Sequence, residues 1–87
     1  MTVKSDRPSA SFKSSLFKHA IGYSYFYTDG DGLNQHSLPF TTKREARKDW
    51  VTRFGKNRPD MFDFMAHSTG ITREEVINDY NNWIKDI

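Results

Sequence analysis

Ile21, Tyr23, Tyr25 and Tyr27 alternate with Gly22, Ser24, Phe26 and Thr28, and Asp29-Gly30-Asp31-Gly32 follows at once. Successive side chains of a strand point to opposite faces, so this period-two run of strong β-formers predicts a strand with one apolar face. The Asp-Gly-Asp-Gly run supplies residues that accept positive φ in a tight hairpin turn. A return strand is expected over about residues 33–40. With the turn centred on Gly30-Asp31, Tyr23 stands opposite Leu38 and Ile21 opposite Phe40. Centring it on Asp29-Gly30 shifts partners by two and keeps the same faces. Pro39 has no N–H for the ladder, which suits an edge or the strand's end.

Thr42-Lys43-Arg44-Glu45 matches a capping box, in which the Thr hydroxyl and Glu carboxylate satisfy backbone N–H groups reciprocally. The helix it opens carries Ala46, Trp50 and Phe54 at i, i+4 and i+8, with Val51 beside them, and Gly55 is placed to end it. Pro59 suits the first turn of a second helix, about residues 59–68, with Met61, Phe64 and Met65 on one stripe and Gly70 as its stop. Thr72-Arg73-Glu74-Glu75 is a second capping box, and Ile71 with Val76 has the spacing of a hydrophobic staple. The last helix places Val76, Tyr80, Trp83, Ile84 and Ile87 on one face. The order ββααα predicts a small single α+β domain, a β-hairpin followed by three helices packed on one sheet face.

Length and composition agree with that outline. Eighty-seven residues make one domain, and no cysteine is present to reinforce it by disulfide or thiolate metal site. The core therefore rests on seven Phe, four Tyr and two Trp. Residues 1–11 lack periodicity and read as a flexible basic arm. Residues 12–87 form the domain, divided into a ββα unit over 21–55 and an αα corner over 59–87. Phe12 and Leu16 suit a short helix or lead-in before the hairpin. No apolar run is long enough to span a membrane, and a cytoplasmic protein is the expectation.

Catalysis and metal binding find no support in the residue pattern, and no cofactor is expected. His19, His36 and His67 share no metal-ligand spacing. Asp29-Gly30-Asp31 begins like a calcium loop, but Leu33 takes the next ligand position and no Glu stands at the twelfth. No phosphate-cradling glycine loop or nucleophile elbow occurs.

Residues 62–80, Phe-Asp-Phe-Met-Ala-His-Ser-Thr-Gly-Ile-Thr-Arg-Glu-Glu-Val-Ile-Asn-Asp-Tyr, resemble the helix-turn-helix of DNA-binding regulators. Ala66 falls at the small position, Gly70 at the turn, Thr72 at the second cap and Val76 at the inward position. That resemblance implies a recognition helix starting near Arg73. The sequence departs from the pattern there, because Glu74 and Glu75 would face phosphates, and Asp79 stands where an inward apolar residue is expected. The segment is therefore read as an αα corner whose role is packing.

Charge is distributed unevenly. Residues 1–58 carry 11 Lys/Arg against five acids, and residues 59–87 carry two against six. Lys43, Arg44, Arg47, Lys48, Arg53, Lys56 and Arg58 place seven cations in 16 residues, and the arm cations Lys4, Arg7, Lys13 and Lys18 add to them. If the tyrosines face the core, Phe26 points the other way, where an open sheet face would suit stacking of unpaired bases. The expectation is a small non-catalytic nucleic-acid-binding protein, for RNA or non-specific DNA. Its site combines the seven cations of residues 43–58 and those of the N-terminal arm with Phe26. The alternative is a protein-binding inhibitor or adaptor, in character a small bacterial or phage accessory factor that masks its partner. A second copy of the chain is a further candidate partner, because a two-stranded unit leaves sheet edges unpaired.

Overall fold

A computed structural model describes residues 6–8 and 11–85, so Lys4 of the arm and Ile87 of the last helix lie outside the described residues. The chain is an α+β domain with helices on one face of an antiparallel sheet. In order it forms β1 (Arg7–Pro8), α1 (Phe12–Ser15), β2 (Leu16–His19), β3 (Gly22–Thr28), β4 (Asn34–His36), α2 (Lys43–Phe54), α3 (Met61–Thr69) and α4 (Arg73–Ile84).

β3 is the centre of the sheet and pairs antiparallel with all three other strands. Residues 34–40 occupy one edge. β1 and β2 lie in line along the other, with α1 looped out between them. Leu16-Phe17-Lys18-His19 therefore continues into a strand where a helix or lead-in was expected. Its partners are Leu16↔Tyr25, Phe17↔Ser24, Lys18↔Tyr23 and His19↔Gly22. Arg7 and Pro8, within the segment read as an arm, pair with Thr28 and Tyr27.

The expected hairpin is present with a different register. Gly32 takes φ of 82°, which adds a third residue to the loop. The Asp29 amide donates to the Leu33 carbonyl at 2.9 Å, and the Asp29 carboxylate accepts from the Asp31 and Leu33 amides at 2.9 Å each. The Leu33 amide, then the Gln35 side chain, hold that carboxyl below the usual carboxylate range. Phe26 consequently pairs with His36 and Tyr27 with Gln35. Farther on, Tyr23 bridges Phe40, so Ser37, Leu38 and Pro39 oppose only Ser24 and Tyr25. One extra residue sits there as a bulge, and Pro39 occupies it, where no ladder N–H is needed.

These shifts correct the face assignments at two residues. Leu38, expected opposite Tyr23, is 81% exposed, and Ile21, expected opposite Phe40, lies in the β2–β3 turn and is 74% exposed. Tyr25 is fully buried on the helix side, and Tyr23, Tyr27 and Phe40 pack against the same core. Gly22 follows Ile21 with φ of 146°, and a Cβ there would stand 2.3 Å from the Phe40 carbonyl oxygen. Gly22→Ala is expected to cost about 2–3 kcal/mol, from the φ strain and the forced opening of the Tyr23–Phe40 bridge. Chemical denaturation checks this, and an unchanged midpoint would mean the strand end can yield without loss.

The helices begin where their caps direct. Thr42 accepts from the Glu45 amide and Thr72 from the Glu75 amide, each at 3.1 Å. α3 starts later than expected. Asp60, not Pro59, opens it, accepting from the Asp63 amide at 3.2 Å, so Pro59 precedes the cap. α2 lies across the tyrosine face. Its Trp50 meets Phe12 from α1 and Phe64 from α3, and Phe54 meets Trp50, Tyr25 and Tyr27. Among the described residues, no helix is long and apolar enough to cross a membrane.

Candidate nucleic-acid interface

Because α2 covers the side of β3 that carries Tyr23, Tyr25 and Tyr27, the opposite side is left without a helical layer. Directly paired residues of antiparallel strands point the same way, so register decides which side chains reach this open face. Phe17 is paired with Ser24, His36 with Phe26, and Arg7 and Asn34 both with Thr28. The open face therefore carries Phe17 and His19 from β2 and Ser24, Phe26 and Thr28 from β3. It also carries Asn34 and His36 from β4, and Arg7 from β1. None of these bears a carboxylate.

The rings form a connected cluster. Phe17 and Phe26 stack with centroids 4.5 Å apart and planes at 22°. His19 lies 5.5 Å from Phe17 on one side, and His36 meets the same ring edge-on at 6.2 Å. His19 Nε2 is 3.0 Å from the buried Ser24 hydroxyl, which fixes the imidazole against the sheet. Phe26 is 44% exposed, so part of the stack reaches solvent. Phe17, His19, Ser24, Phe26, His36 and Ser37 surround a shallow hollow of about 350 Å³, within the size range of small-ligand sites.

Apart from Arg7, the described cations proposed from sequence lie elsewhere. Those of α2 stand on the helical layer, with the sheet between them and Phe26. Arg44 and Arg47 converge on Asp79 of α4. Arg44 Nη2 lies 3.2 Å from its carboxylate, and Arg47 makes a shorter contact with the second oxygen. Asp79 is buried, and this is why a carboxylate occupies an inward position of the last helix. Arg53 lies over the Tyr27 ring at 4.8 Å, and Arg58 over Phe64 at 4.5 Å while donating to the Phe54 carbonyl. Lys18 and Lys43 both approach Tyr23, at 5.9 and 5.8 Å, and Lys13 runs alongside Gly70. Lys48 and Lys56 make no ion pair among the described residues. Thus Phe26 is separated from the basic helix, and several of those cations pack on aromatic rings instead of gathering into one patch.

Phe17, His19 and His36 were not grouped with Phe26 by sequence reasoning, whereas Arg7 was, as one of the arm cations. The signal for Phe17 was weak, since Leu16-Phe17-Lys18-His19 has two apolar residues followed by two polar ones and no period-two pattern. Only the β2–β3 register brings it beside Phe26.

On the helix side, the Tyr25 hydroxyl donates to Asp49 in a short hydrogen bond. Burial pushes the Tyr25 phenol up, and the Asp49 carboxylate pushes it further the same way. The hydroxyl therefore stays a donor that ties the sheet to α2. Among the described residues, no group of three His, Asp or Glu side chains is placed to hold a metal ion. The α3–α4 corner presents Glu74 and Glu75 to solvent at the start of α4, and Arg73 turns back to Asp63 at 2.9 Å. No protein-family model, curated protein or solved structure matches the chain.

Proposed function

We propose that this protein binds single-stranded nucleic acid, without catalysis, on the open face of its sheet. The observation that carries the reading is the Phe17–Phe26 stack, flanked by two imidazoles and sharing its side of the sheet with Arg7, where none of the eight residues placed there bears a carboxylate. Unpaired bases have π-faces that can extend such a stack, whereas paired bases keep theirs inside the duplex. Arg7, Asn34 and the histidines supply donors at the height of a sugar-phosphate backbone. At low ionic strength the remaining cations, most of them in the first two thirds of the chain, favour approach of a polyanion without touching it, an effect screened at physiological salt. Such a role fits a cytoplasmic protein.

Fluorescence anisotropy tests this with labelled single-stranded RNA, single-stranded DNA and duplex DNA across a salt series. Single strands are expected to bind more tightly than duplex, with affinity falling log-linearly in salt. The Phe17→Ala/Phe26→Ala variant is expected to lose roughly tenfold or more, since a stacked base is worth about 1–3 kcal/mol. An unchanged affinity in that variant would move the site off the open face. If charge reversal at Arg44, Arg47 and Lys48 abolished binding instead, the site would return to α2.

A second reading, a partner protein on the same face, is favoured by Ile21 and Leu38, exposed at 74% and 81% at one end of the sheet. It predicts weak salt dependence and no preference for single strands. A second copy as that partner would show as a doubled mass in analytical ultracentrifugation.

A further inference from the structure

On the helical side, α2 and α4 leave a groove whose floor and rim differ in character. Val51, Met61, Tyr80, Trp83 and Ile84 form an apolar hollow of about 100 Å³, the scale of a single side chain. Lys48 of α2 and Lys56, in the turn just after α2 ends at Phe54, line its α2 lip. Neither makes an ion pair among the described residues. Ile84 leaves 46% of its surface to solvent at the other lip. The groove continues along α2 into a wider hollow of about 390 Å³, which shares Lys48 and Trp83 and adds Arg44 and Glu45. Arg44 there lies over the Trp83 ring at 5.7 Å, so the indole is a floor already polarised toward cations.

We propose that this groove docks an acidic, amphipathic segment of a partner protein. One large apolar side chain of the segment seats on Val51, Met61 and Trp83. Carboxylates a turn to either side meet Lys48 and Lys56. Charge complementarity selects this occupant: two unpaired ammonium groups frame an apolar slot, so a basic or uniformly apolar segment would leave them desolvated and unsatisfied. Glu45, on the wider part of the groove, limits how far acidic residues extend toward the start of α2. The site is independent of the nucleic-acid reading, because it lies on the layer opposite the Phe17–Phe26 stack. A chain with both surfaces would tether an acidic partner to a single strand.

Panning a displayed random peptide library against the full chain, followed by amide-shift mapping with the selected peptides, tests the proposal. Enriched peptides are expected to combine acidic residues with one large apolar residue, and to shift amides on α2 and α4 around Lys48 and Trp83. The Lys48→Glu/Lys56→Glu variant is expected to weaken them roughly tenfold or more, as loss of framing charges does. Replacing the peptide's apolar residue with alanine is expected to weaken it comparably. Single-strand binding by the variant stays near the parent's at physiological salt, because charges on the far layer are screened. The variant's thermal melt confirms that it folds. No enrichment, enrichment of peptides lacking acidic residues, or shifts outside the groove would overturn the assignment. So would groove shifts that grow with protein concentration alone, which would give the groove to a second copy.

Discussion

Trp50→Ala is expected to leave the domain largely unfolded near ambient temperature, through a loss of about 3–5 kcal/mol. Trp50 is fully buried. Its ring meets Phe12 at 6.0 Å, Phe54 at 5.5 Å and Phe64 at 5.7 Å, so it joins α1, α2 and α3 at one point. Alanine would open a cavity bordered by elements that cannot all collapse into it. A chain of this length holds roughly 5–10 kcal/mol of stability in total, so the loss takes a large share. Trp50→Phe separates packing from polarity. The indole N–H is buried with no hydrogen-bond partner among the described residues, so phenylalanine removes no hydrogen bond and is expected to cost less than about 2 kcal/mol. Urea denaturation followed by far-ultraviolet circular dichroism reads both variants. A Trp50→Ala midpoint close to the parent's would place the core elsewhere.

Asp79→Leu is expected to cost about 2–3 kcal/mol, less than breaking a fully buried pair. The Asp79 side chain is 11% exposed and receives both Arg44 and Arg47. Arg47 is 16% exposed and would be left without its acceptor, whereas Arg44, 52% exposed, would turn to water and contributes little. The Arg47 Nε, buried and without a hydrogen-bond partner among the described residues, makes that guanidinium dependent on Asp79. Asp79→Leu combined with Arg47→Met is expected to recover most of the loss, because no desolvated charge then remains. Double-mutant-cycle analysis of denaturation midpoints measures this. Additive losses in the pair would mean that the two residues do not act through each other.

The helical half was legible because its signals are local. A Thr cap, a Glu three residues later and an i, i+4 apolar stripe all lie within one or two turns, and Thr42, Thr72 and Gly70 stand where those rules put them. The strand β3 was legible for the same reason. What the sequence left open depends on counting residues between distant partners. Two glycines in Asp29-Gly30-Asp31-Gly32 allow a loop of two or three residues, and one residue decides whether Leu38 faces the core. β2 is four residues long and has no alternation to outweigh the helical start at Phe12. Asp79 was visible as a misfit on an apolar helix face. A carboxylate at an inward position, in a chain with a basic helix, is a signal for an ion pair between helices that spacing rules do not capture. The cation patch failed as a unit because a linear run of Lys and Arg wraps around a helix, and each member then meets a different neighbour.

The bulge at Leu38–Pro39 bears on how molecules of this kind avoid one another at high concentration. Proline and an unpaired residue interrupt the outer rim of the sheet on one flank, and α1 interrupts it on the other. No flank offers a newcomer a long uninterrupted row of backbone donors and acceptors, and such a row is what seeds growth of one sheet onto the next. A crowded solution of this chain should therefore resist fibre formation although it exposes leucine, isoleucine and phenylalanine. Recognition by the sheet therefore comes from above it, through side chains, and not by zipping another strand alongside.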